Sequence, residues 1–388
     1  MTSDLLLGPW AKSFPVDSWG MPAADYLATA PQLSAFATPL LTLDASALEH
    51  NVALMARWLT ERGLQIAPHG KTTMAPQLWR QLIDAGAWGI TLATPWQVQV
   101  ARAHGFARII LANEVIDPKA LAWIGAELAD PDFEFVCWVD SVEAVEAMAA
   151  GLGGAARPVD VVVELGAPGG RTGARGVAAA LDVVAAIDRT PALRLAGVGG
   201  YEGSYARERS AAGIDAVRRY LADVVSVYRR VAWDTRPLLT AGGSAWFDVV
   251  AEVLGEFVGE AAVILRSGAY QIHDDGFYTG ITPLTGLRSA MHGWSRVLST
   301  PEPGLALLDG GKRDFPYDEG MPVTEHGVVR KLNDQHAYLD SSTARVGDVV
   351  RLGLSHPCTA FDKWRLIPVI DDVEADDPLV VDLVRTWF

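Results

Sequence analysis

From residue 64 to 270 the chain repeats one phrase: a short β-rich run, a polar or glycine-containing turn, then a stretch with helical apolar spacing. No other feature constrains the fold as strongly, because strands that alternate with helices pair in parallel through right-handed crossovers. The runs are LQIAPHGK (64–71), WGITLAT (88–94), RIILANE (108–114), FEFVCWVD (133–140), VDVVVELG (159–166), LRLAGVGGY (193–201), PLLTAGG (237–243) and AVILRSG (262–268). Between them, Ala75, Leu78, Trp79, Leu82 and Ile83 follow the helical i, i+3, i+4, i+7, i+8 pattern ahead of Gly86, and Ile214, Val217, Leu221, Val224 and Tyr228 repeat it. Eight runs predict an α/β fold of the closed (β/α)8 TIM-type barrel kind; the alternative is a doubly wound open sheet, whose strand count is not fixed at eight.

After about residue 285 the long helical stretches stop, and short runs such as LALLD, VVRKL, HAYLD, DVVRLGL and RLIPVI predict a mainly β C-terminal domain. The expected division is an irregular arm over 1–35, the barrel over 36–285 and the β domain over 286–388, with PLLTLD (39–44) a strand before the first helix. Half of the 388 residues are hydrophobic, enough for two cores. A formal charge of −15, with no run of Lys or Arg to interrupt it, argues against a nucleic-acid partner. The amino-terminal MTSDLLLGPW lacks a positive segment ahead of a long apolar one, and no later stretch would span a bilayer, so the expectation is a cytoplasmic chain with no membrane contact. Two cysteines, Cys137 and Cys358, build no disulfide framework and suit a reducing compartment where a thiol is free to bind metal.

In a barrel the strand ends form the cavity, and here they read Lys71, Thr94, Asn113, Asp140, Glu164 with Gly166, Tyr201, Thr240 with Gly242, and Gly268. A lysine shielded at that mouth, with His69 beside it, can attack an aldehyde as a free amine; otherwise it is a surface lysine opening a loop. TAGGSAW (240–246) places Gly242, Gly243 and a serine between strand and helix, where backbone N–H groups favour a phosphate, although a tight turn needs glycine without any ligand. RSGAY (266–270) brings Gly268 and Tyr270 to the next strand end. Arg171, among glycines in ELGAPGGRTGAR (164–175), suits either an anionic oxygen or solvent. His356 and Cys358 lie two apart, so on an extended segment imidazole and thiolate face one way. Two ligands are too few for a closed structural zinc site, and a metal held there would be catalytic; by chance alone, H-x-C is also common.

APHGKTTMAPQLWRQLIDAGAWGITLAT, LANEV, ELGAPGGRTG, GGYEGSY, TAGGS, RSGAYQIHD, LNDQH and SHPCTAFDKW, in this order, resemble the D-serine dehydratase and D-threonine aldolase family of pyridoxal-phosphate enzymes, over roughly residues 36 to 388. Within it the nearest resemblance is to bacterial amino acid deaminases and D-threo-3-hydroxyaspartate dehydratases. The resemblance implies an alanine racemase N-terminal-like barrel with a β domain behind it. It implies pyridoxal 5'-phosphate bonded by Lys71, with His69 close by, Arg171 near the O3' side, Tyr201 facing the pyridine nitrogen, and Thr240, Gly242, Gly243 and Tyr270 around the phosphate. His356 and Cys358 match the family's metal ligands. Related aldolases carry aspartate where this chain has Cys358, and the softer thiolate points to zinc ahead of manganese or cobalt, and to dehydration.

The implied activity is a lyase that eliminates water from a D-3-hydroxy amino acid (D-serine, D-threonine or D-threo-3-hydroxyaspartate), giving a 2-oxo acid and ammonia. The alternatives are retro-aldol cleavage to glycine and an aldehyde and, further off, a racemase or a non-enzymatic cofactor carrier. The implied assembly is a head-to-tail homodimer, with a small-molecule D-amino acid as the other partner. His336, Lys312 and Arg313 are candidates for a second substrate carboxylate, solvent-facing roles being the alternative. The chain departs from the family pattern at Ala67, where many relatives carry arginine.

Overall fold

The computed structural model describes residues 5–206 and 208–388. Strand β1 (Leu40–Asp44) leads into a helix at Ala45–Thr60 that Asp44 caps by accepting a hydrogen bond from the Ala47 amide. Eight strands follow: β2 (Gln65–Ile66), β3 (Ile90–Leu92), β4 (Arg108–Glu114), β5 (Glu134–Val139), β6 (Val159–Leu165), β7 (Leu193–Gly200), β8 (Leu238–Ala241) and β9 (Ala262–Leu265). All pair in parallel in the order β2-β9-β8-β7-β6-β5-β4-β3. Just beyond β2, His69 makes a parallel bridge to Thr91 of β3, and this contact closes the sheet on itself. Thr94, Asp117, Ser141 and Ser210 cap helices at Pro95–Ala103, Pro118–Glu127, Val142–Gly151 and Ala211–Arg230, so short polar residues fix where strand gives way to helix at the barrel mouth.

Two apolar layers hold the barrel. The outer one lies between strands and helices, with Trp79, Leu121, Val163 and Leu221 fully buried, each burial worth roughly 1.5–3 kcal/mol. The inner one is a plug of Ala67, Ile110, Val136, Trp138, Val162 and Ile264. Ala67 is 0% exposed in that plug, where a small side chain fits. Two residues along the same strands stand His69, Ala112, Glu164 and Arg266, which the two-residue period also aims inward, one layer nearer the mouth. The plug is therefore dry, and the layer above it is polar.

The second sheet contains β10 (Met291–Glu302), β11 (Leu305–Leu308), β12 (Val323–Thr324), β13 (Gly327–Leu332), β14 (Ala337–Asp340), β15 (Val349–Gly353), β16 (Leu366–Ile370) and β17 (Val380–Arg385). Its order is β11-β14-β13-β12-β15-β10-β1-β16-β17, with β11 also pairing to the far half of β10, so six strands close into a small antiparallel barrel. One difference from the sequence reading stands out. The strand at 39–44 exists, but it pairs antiparallel with β10 and parallel with β16, inside the β domain. All five β1 residues are buried, as an interior strand requires, and nothing in LLTLD names its partners. Residues 5–37 form short helical turns whose Leu7, Phe14, Tyr26 and Phe36 pack into the same β-domain core. Among the described residues no helix is long and apolar enough to cross a membrane.

Candidate active site

A cavity of about 460 Å³ opens where the barrel strands end and the β domain leans over them. Lys71 enters it from the one-turn helix at Gly70–Thr72 that follows β2. Burial lowers its ammonium pKa, and Arg171 and Arg266 push the same way while the Cys358 thiolate opposes them. His69 lies deeper, its pKa driven well below the ordinary value by burial and then by Lys71, Arg266 and Arg171, so its ring is neutral. Among the described residues its buried Nδ1 has no hydrogen-bond partner.

His356 and Cys358 reach the same cavity from the loop after β15. The join is direct: Thr72 Oγ1, next to Lys71, shares a 3.2 Å hydrogen bond with Cys358 Sγ across 286 positions of chain. His356 Nδ1 lies 2.6 Å from Asp318 Oδ2, and a carboxylate only accepts, so Nδ1 carries a proton and the ring is turned with Nε2 away from Asp318. Metal-binding histidines are oriented in this way. The hydrogen bond to Cys358 raises the imidazole pKa to about 9, with Asp318 adding to the effect. Burial works to raise the Cys358 thiol, yet its contacts with His356, Thr72 and Lys71 bring it below its ordinary value. The backbone at His356 has φ +63°, an uncommon value for a side-chain-bearing residue, and Asp274 Oδ2 holds it there by accepting from the His356 amide at 2.8 Å. Asp274 Oδ1 also accepts from the amides of Gly276 and Tyr278, which sets Phe277 and Tyr278 into the cavity wall.

The expected residues His69, Lys71, Arg171, Tyr201, Gly243, His356 and Cys358 all line this cavity. Arg171 stacks over the Tyr201 ring at 4.7 Å. Thr240, Gly242 and Tyr270 stand elsewhere. Thr240 is wholly buried one layer down, donating to Ile264 O and accepting from Arg266. Tyr270 turns outward into the barrel's outer core, where it borders a separate cavity with Leu59 and Leu82. The amides of Gly242 and Gly243 donate to the buried Glu202 carboxylate, so that pair is already engaged. Among the described residues, the amides of Ser244, Gly268 and Ala269 have no such partner, and all three residues line the cavity. Gly268 has to be glycine: a Cβ there would stand 2.4 Å from the His69 carbonyl oxygen.

Sequence reasoning missed the floor. Arg266 is buried, donating to Thr240 Oγ1 and Gly200 O above the Trp138 ring, and its Nε is unpartnered. Glu164 faces Glu114 across β5, and the two largely buried carboxyl groups lie within hydrogen-bonding reach of each other. Desolvation, then Glu164 and Asp140, raise Glu114 to about 8, so the pair holds a proton at neutral pH. Glu164 was already among the expected strand ends; the signal that could have added Arg266 was charge at an inward-facing strand position, two residues beyond Ile264 of the apolar plug.

Residues 43–247 match the family described as "Alanine racemase, N-terminal domain", and residues 290–370 match the one described as "Putative serine dehydratase domain". The chain is 27% identical to a D-threonine aldolase of Arthrobacter sp., covering 88% of this chain and 90% of the relative. It is 28% identical to a D-threo-3-hydroxyaspartate dehydratase of Delftia sp. (strain HT23), covering 90% and 96%. The solved D-threonine aldolase from Filomicrobium marinum superposes with a TM-score of 0.81 at 22% identity, over 92% of this chain and 97% of that one. By sequence match and by architecture, this chain belongs to the alanine racemase N-terminal domain family, with a serine dehydratase-like domain behind the barrel.

Proposed function

We propose that this protein is a lyase dependent on pyridoxal 5'-phosphate and a divalent metal, eliminating water from a D-3-hydroxy amino acid to give a 2-oxo acid and ammonia. The observation that carries the reading is the Thr72–Cys358 contact at 3.2 Å, which sets a soft metal-binding couple beside a buried amine. The cavity suits an aldehyde-bearing phosphate: unengaged amides at Ser244, Gly268 and Ala269 suit the phosphate, and unpartnered Nδ1 of His69 and Nε of Arg266 await polar contacts. Imidazole and thiolate suit zinc. Two protein ligands would leave coordination positions to substrate and water.

When bound, the cofactor supplies an electrophilic aldehyde and an electron sink, and the metal supplies a Lewis acid. The chain does the rest. Lys71, its ammonium disfavoured by burial, would hold the cofactor and, once freed, take the substrate's α-proton. Neutral His69 adds no charge beneath it. Arg171, stacked on Tyr201, offers a guanidinium to an anionic oxygen. Asp318 fixes the His356 ring, so that imidazole and thiolate would together hold the ion, whose Lewis acidity would favour loss of the β-hydroxyl.

The relatives named as D-threonine aldolases support a second reading, in which the same groups break the Cα–Cβ bond. Incubating the holoenzyme with D-serine, D-threonine and D-threo-3-hydroxyaspartate, and measuring each product, separates the two. Ammonia with 2-oxo acid is expected; glycine with an aldehyde would replace dehydration by aldol cleavage, and no product from any of the three would overturn both. The reading extends to a cytoplasmic homodimer, supported by the family resemblance and two free thiols. A sedimenting mass of about twice 41.6 kDa would bear out the dimer.

A further inference from the structure

The cavity is electrically lopsided. Its guanidinium groups lie on the barrel side, Arg171 against Tyr201 and Arg266 tied to Thr240 and Gly200 in the floor. The side that holds His356 and Cys358 is acidic and aromatic. Asp318 binds both His356 and Thr359, and Glu319, the next residue, lines the cavity with a carboxylate that has no hydrogen bond or ion pair among the described residues. Phe277 and Tyr278 close the wall, their ring centroids 6.1 and 6.5 Å from the His356 ring. The cations that the sequence offered for a second substrate carboxylate are absent from this wall. Arg313 pairs with Asp334, Lys312 lies over Tyr317, and neither these two nor His336 lines the cavity.

We propose that the pocket for the substrate's β-substituent accepts an uncharged group (hydrogen, methyl or aryl) and rejects a second carboxylate, with Glu319 setting that choice. The inference rests on the lyase reading above, in which the β-hydroxyl sits at the His356–Cys358 couple. A β-carboxylate there would face the Glu319 carboxylate, while Arg171 and Arg266 stand on the barrel side of the cavity. Glu319 is exposed, so water moderates the repulsion, but selectivity of this kind needs only a like charge set against the wrong substrate. Aromatic walls, by contrast, gain from burying a methyl or phenyl group.

The test compares kcat/KM of the metal-loaded holoenzyme for D-threonine, D-threo-3-phenylserine and D-threo-3-hydroxyaspartate. At least a tenfold preference for either neutral substrate over the dicarboxylate is expected, and Glu319→Gln should shrink that ratio severalfold, mainly through the KM of the dicarboxylate. Glu319→Arg should shrink it further. Equal or better use of the dicarboxylate by the wild type, or a Glu319→Gln ratio that does not move, overturns the inference while leaving the lyase reading intact. Failure to turn over any of the three substrates instead overturns the lyase reading.

Discussion

Asp318 and His356 show what a single hydrogen bond decides at this site. With Nδ1 held by the carboxylate, the ring presents one nitrogen and one orientation to a metal. Asp318→Asn should weaken metal affinity about 10–100-fold, measured by titrating the apo-metal protein against a competing chelator, with cofactor content unchanged. An unchanged affinity would remove Asp318 from the metal's support. Glu114 and Glu164 carry a different prediction. Glu114 titrates near 8 in the fold against an ordinary 4.5, so the folded state holds the extra proton between those values. Its contribution to stability is fully present below about 4.5 and is lost as pH rises through 8. Glu114→Gln should therefore flatten the fall in thermal stability from pH 5 to pH 9, by on the order of 1–3 kcal/mol. Parallel pH profiles for the two proteins would contradict the shared proton. Lys71 and the His356–Cys358 couple were legible in the sequence because each motif carries its own spacing. Glu164 was legible as a strand end, but its pairing with Glu114 and the place of Arg266 were not, because these groups meet across different strands and only the barrel's curvature brings them together.

Among the elements, the short helix at Phe277–Ile281 and the turn at His356 depend on one carboxylate. Asp274 is fully buried and accepts from the amides of Gly276, Tyr278 and His356, so it joins the loop after β9 to the loop after β15. Losing charged hydrogen bonds in a buried place typically costs about 1.5–3 kcal/mol apiece. Asp274→Ala should lower unfolding free energy by about 3 kcal/mol or more in urea titration, with faster amide exchange confined at first to residues 275–281. A loss under about 0.5 kcal/mol would contradict the pin. The sequence announced β1 as a strand but not its place: LLTLD has the pattern of a buried strand, while its pairing with β10 and β16 is a long-range fact that local propensity does not encode. The expected anion site shows the same limit. Gly242 and Gly243 have the chemistry of an anion site, yet Glu202, forty positions earlier in the chain, fills their amides and shifts the unengaged donors to Ser244, Gly268 and Ala269.

For the whole molecule, the eightfold alternation of strand and helix was legible because every barrel strand needs the same inward and outward faces. The change of rhythm after residue 285 likewise announced the β domain. What the alternation did not contain was the docking of one domain on the other, through which Thr72 meets Cys358 and the lysine acquires a thiol neighbour. The proposed chemistry depends on that meeting. It is tested most directly by ammonia release from D-serine in the holoenzyme, before chelation, after chelation and after zinc is added back, with bound cofactor measured at each stage. The expected result is a fall of at least 100-fold on chelation and recovery with zinc, at constant cofactor content; ammonia release that continues undiminished without metal would contradict it.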